Sequence, residues 1–194
     1  MGDLRRSLSS ALLFALLVTA SGCADPAVPA QPSRGPSDPA TQARLLARLR
    51  GDDLRDLREA ALEIAAGRDP ATVRAASAKL VVQAQIVTSA AFRAWQRGRV
   101  PVGSPPLTAA EIEAEVDRHQ DRTLAQLFAA MSAVGGPESV AYCLAFAENE
   151  SAPVELRRAA LAVLVRHVDR RDAAAVTRSA AVWERVRQAP ARRP

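Results

Sequence analysis

After residue 38, apolar residues recur at three- and four-residue steps, and no stretch alternates apolar with polar residues over the length of a strand. The pattern predicts an all-α domain of about seven helices. Asp38-Pro39 is a start signal, with Asp as N-cap and Pro at the first helical position. The helix it opens carries Leu45, Leu46 and Leu49 on one face and stops at Gly51. Asp53 caps a second helix with Leu57, Ala61, Leu62 and Ile64 apolar, ending near Gly67. Asp69-Pro70 repeats the start signal, and Val73, Leu80, Ala84, Val87, Ala91 and Trp95 predict one long helix reaching about Arg97.

The segment GRVPVGSPP, residues 98–106, interrupts the periodicity. Thr108-Ala109-Ala110-Glu111 then forms a capping box, with Leu107 and Ile112 placed as a staple across it. That helix runs through Val116, Leu124, Phe128 and Met131 to Gly135-Gly136. Pro137 opens the next, which holds Tyr142, Leu144 and Phe146. Ser151 is the expected cap of a helix with Leu156, Ala160 and Leu164, and Asp172 caps a last one through Val176, Val182, Trp183 and Val186.

Three helix starts resemble one another. DLRDLREAAL (53–62), DPATVRAASA (69–78) and APVELRRAAL (152–161) each hold an aliphatic-Arg pair followed by small residues. They are similar to the second helix of HEAT-type repeats, most clearly over 137–188. The resemblance implies a short HEAT-like array. The alternative is an irregular helical bundle around the central helices.

The amino terminus follows another logic. Arg5 and Arg6 precede an apolar run from Leu8 to Val18, and small residues follow. This is the three-part layout of a secretory signal. Its apolar core of about ten residues is half the roughly 20 needed to cross a bilayer. Ala20-Ser21-Gly22-Cys23 resembles the lipobox of bacterial lipoproteins, although the family prefers Leu where Ala20 stands. The resemblance implies cleavage between Gly22 and Cys23, diacylglycerol on the Cys23 thiol, and acylation of the new amino terminus. Ala24, rather than Asp, implies sorting to the outer membrane by the enteric rule. An ordinary signal peptide cleaved near the same place is the alternative.

The expected organisation is a signal peptide at 1–22, a lipidated Cys23 and Pro-rich tether over 23–40, an all-helical domain at 41–188 and a basic disordered tail at 189–194. Residues 24–40 are rich in Pro and small polar residues, and would reach about 50 Å if fully extended.

Charge and cysteine usage alter this picture little. The chain has formal charge +5, of which the signal segment (Asp3, Arg5, Arg6) holds +1, and Lys79 is the only lysine. An exported, lipid-anchored protein meets little nucleic acid, so no nucleic-acid partner is expected. With Cys23 used by lipid, Cys143 stands alone in an apolar run and reads as a buried, inert thiol.

Candidate chemistry is sparse. Glu111, Glu115 and His119 lie four apart on one helix face and form a weak candidate metal site. His167, between Arg166 and Asp169 near a helix end, suits a favourable cation position. No Gly-rich phosphate loop, nucleophile elbow or zinc-protease motif occurs, so neither enzyme nor cofactor is expected. The expected role is a lipid-anchored bacterial envelope protein that binds, assembles or localises an envelope complex for secretion, adhesion or motility. The alternatives are a periplasmic metal or small-ligand sensor, and an envelope enzyme or inhibitor.

Overall fold

The computed structural model describes residues 38–49, 53–100 and 107–189. The expected signal segment, Cys23, nearly all of the tether and the end of the tail lie outside the described residues. Eight α-helices and no strand are present among those described. They are α1 (Pro39–Arg48), α2 (Leu54–Gly67), α3 (Pro70–Val87), α4 (Ala90–Arg97), α5 (Ala109–Val134), α6 (Pro137–Glu148), α7 (Val154–His167) and α8 (Ala173–Gln188). α1 thus begins two residues ahead of the domain boundary expected at 41.

The caps follow the sequence closely. Asp38, Asp53, Asp69 and Asp172 each accept a backbone N–H of the first turn of α1, α2, α3 and α8. At α5, Thr108 Oγ1 accepts from Glu111 N at 3.3 Å, and the Glu111 carboxylate accepts from Thr108 N at 2.7 Å, so the expected capping box is complete. One expected cap is different. Pro153, not Ser151, precedes α7, and Ser151 N donates to the Asn149 side chain at 3.1 Å.

The eighth helix arises because the single helix expected over 70–97 is broken. Thr88 closes α3 by donating its hydroxyl to Ala84 O and Gln85 O, both at 3.0 Å. Ser89 then leaves helical geometry and accepts from Phe92 N at 3.1 Å, capping α4. Gln120 of α5 completes the break by donating to Val87 O at 2.8 Å. A side chain from another helix thus satisfies a carbonyl at the end of α3.

α5 lies at the centre, against α2, α3, α4 and α7. A repeat array confines each unit to its neighbours. Here α2 meets α5 and α3 meets α6, so the eight helices pack as a bundle. The core joins Leu57 and Ile64 of α2, Leu80 of α3, Leu127, Phe128 and Met131 of α5, and Leu161 and Leu164 of α7. Phe128 is 1% exposed and meets Phe146 edge-on at 4.9 Å. Burying such a ring contributes about 1.5–3 kcal/mol. Three residues read as apolar-face positions are instead exposed: Leu62 at 53%, Trp95 at 51%, and Ala91.

Small residues let α3 and α6 approach. The Ser77 and Ser139 hydroxyls lie 2.9 Å apart, and Ser139 N donates to Ser77 Oγ at 2.9 Å. Gly136 has φ 97°, and a Cβ there would come within 2.6 Å of Ser77 Cβ. Gly135, with φ 75°, is covered in the same way by the His167 ring. The GG pair therefore serves both the turn and the packing on either side of it.

Candidate functional site

The charged face of α5 is committed to internal contacts. The Glu111 carboxylate is turned back on Thr108, whose backbone N–H holds it below the usual carboxylate range. Glu115 pairs with Arg118 at 2.9 Å. His119 stacks on Phe92 with ring centres 6.4 Å apart. Glu115 and His119 do line one small hollow with Gln96, but Glu111 is not in it. Among the described residues, no group of three His, Cys, Asp or Glu side chains is placed to hold a metal ion.

The same face clamps α4. Arg93 reaches Asp117 at 2.6 Å, Glu113 at 2.9 Å and Gln120 at 2.8 Å, and Arg97 also binds Glu113. These guanidiniums, Arg97 first and then Arg93, draw the Glu113 carboxyl below its ordinary value of 4.5.

The other flagged residues are also structural in placement. Cys143 is fully buried, its Sγ 3.7 Å from Met131 Sδ, and burial pushes the thiol up to about 12. Such a thiol is protonated and inert at neutral pH. His167 Nε2 donates to Ser132 O at 2.7 Å, tying the end of α7 to the last turn of α5. Arg157 is only 4% exposed, and its Nε donates to Ala147 O, at the carboxyl end of α6, at 2.8 Å. Its Nη2 is buried without a partner. The equivalent Arg58 and Arg74 of the other two look-alike segments are exposed.

An exposed surface with an apolar hollow on either side lies along α7. On its exposed face stand Arg158, Ala162, Val165 and Arg166, spaced to share one side of the helix. Toward α8, a groove of about 390 Å³ is lined by Leu161, Ala162, Val165, Trp183 and Val186, with Arg158 and Arg187 also in its wall. Toward α2 and α5, a second hollow of about 340 Å³ lies over Ala129, Ala130 and Ala133, between Arg58, Leu62 and Arg166. Sequence periodicity missed this surface, because it depends on which helices stand side by side. A segmental charge count carries the signal: residues 152–194 hold ten arginines and four carboxylates, net +6, whereas 38–151 hold thirteen basic and fifteen acidic residues, net −2.

Scans of protein-family models, curated proteins and solved structures return no match to this chain.

Proposed function

We propose that the chain is a bacterial envelope lipoprotein, anchored through lipid on Cys23, whose helical domain binds a protein partner and assembles or localises an envelope complex. The observation that carries the anchor is the order of parts at the amino terminus: Arg5-Arg6, an apolar run, then Ala20-Ser21-Gly22-Cys23. Two or three acyl chains on one residue would make release negligible, since each buried methylene contributes about 0.8 kcal/mol. No helix among the described residues is long and apolar enough to cross a membrane, so the anchor reading rests on Cys23. Ala24 supports the outer membrane as destination. The open apolar groove between α7 and α8 supports a partner-binding role for the last helices.

The test is mass spectrometry of the chain recovered from membranes of a bacterial host. The expected product begins at Cys23 and carries the mass of diacylglycerol plus an amide-linked acyl chain. Cys23→Ser should leave the protein unprocessed and without label from radioactive palmitate. A product with an unmodified residue 23 that washes off vesicles contradicts the reading.

A further inference from the structure

The groove between α7 and α8 points to the chemistry of its occupant. Its floor is aliphatic and aromatic, with Val165 39% exposed and Trp183 half-buried. Its walls carry Arg158 and Arg187, and the two helices that flank it, α7 and α8, hold six arginines against Glu155 and Glu184. We infer that this groove docks an acidic amphipathic helix of a protein partner, with an apolar stripe on Trp183 and Val165 and carboxylates toward Arg158 and Arg187. This deepens the binding-module reading and rests on it, but is independent of the anchor at Cys23.

Three features favour a helix over a bilayer surface. The apolar residues line a hollow between two helices, and only a ridge of side chains fills a hollow. Interfacial insertion needs apolar side chains that project, whereas Trp183 lies half-buried in the groove. Arg158 and Arg187 are each drawn toward a carboxylate one turn away on the same helix, Glu155 at 2.7 Å and Glu184 at 2.9 Å. Both guanidiniums stand at the rim of the groove, where the spaced carboxylates of a helix can compete for them, and a Trp beside Arg is a common energetic centre of protein interfaces.

The test uses the complete chain carrying Cys23→Ser and Trp95→Phe, which leaves Trp183 as the only tryptophan. The probe is a synthetic amphipathic helix of about five turns, with a Leu stripe flanked by Glu; a matched peptide has Lys in place of Glu. The acidic peptide should blue-shift Trp183 emission and bind at least about tenfold more tightly than its Lys counterpart. Arg158→Glu with Arg187→Glu should reverse that preference at an unchanged thermal midpoint. The reversal itself shows that the variant is folded. An unmoved Trp183 emission, equal response to both peptides, or a shift elicited by phosphatidylglycerol vesicles instead of the acidic peptide overturns the proposal. Any of these leaves the lipid on Cys23 untouched, so the two readings fail separately.

Discussion

Arginine does opposite work at the two ends of this bundle. At the α4–α5 junction, Arg93 and Arg97 cross from one helix to the next and spend their guanidiniums on Glu113, Asp117 and Gln120. At the α7–α8 end, Arg158 and Arg187 pair with Glu155 and Glu184 of their own helices, and the space between those helices is an open apolar groove. The first arrangement ties two helices together through charge, and the second leaves an apolar groove between two helices. Residue type is the same in both, so the difference lies in what the neighbouring helix offers. α5 presents a row of carboxylates to α4, whereas α7 presents Leu161, Ala162 and Val165 to α8.

Substitutions can break this contrast in order of size. Phe128→Ala strikes the apolar seam on which both ends depend. It should cost about 3–5 kcal/mol in urea unfolding, at low and high salt alike. A loss that shrinks with salt would mean that the seam is not the common support. Gly136→Ala forces a Cβ into Ser77 at a positive φ, and should cost about 1–3 kcal/mol in the same assay. An unchanged midpoint would show that α3 and α6 do not approach as described.

Arg93→Ala, at the junction, should cost only about 1 kcal/mol, and molar salt should remove most of the difference. A salt-insensitive loss would make Arg93 a packing residue rather than an ionic clamp. The smallest effect is with pH. Because the folded state holds the Glu113 carboxyl below its ordinary value of 4.5, its contribution is present above that value. It is lost as pH falls through the lowered value. Trp95, on α4, should therefore report loosening of the junction in acid before Trp183 reports any change. The simplest readout is each single-tryptophan variant, Trp183→Phe and Trp95→Phe, followed by emission below about pH 4.5. Simultaneous changes would remove the distinction between the two ends.

How legible these features were in the sequence depends on how local their causes are. The caps at Asp38, Asp53, Asp69, Thr108 and Asp172 could be read directly, because a cap is chemistry within four residues. The break at Thr88-Ser89 could not, because apolar periodicity continues through it and Gln120, its remote partner, belongs to α5. Leu57-Arg58 and Leu156-Arg157 look alike in sequence. Only Arg157 has a helix end, at Ala147 O, within reach, and so only Arg157 is buried. The stack of Glu111, Glu115 and His119 was legible as a spacing. Its use was not, since Thr108, Arg118 and Phe92 each take one member. The groove needed both α7 and α8 in place, although the surplus of arginine after residue 152 was countable from the start.

The α7–α8 end is proposed as the working surface, while the arginines of the α4–α5 junction serve as a structural clamp. Photo-crosslinking in intact cells tests it most directly, with the reactive residue placed at Ala162 in one chain and at Ala94 in another. Both positions are exposed, so reach is matched. The account predicts one discrete protein adduct from Ala162, lost when Arg158 and Arg187 are both changed to Glu, and none from Ala94. An adduct from Ala94 alone, or the same adducts from both, contradicts it.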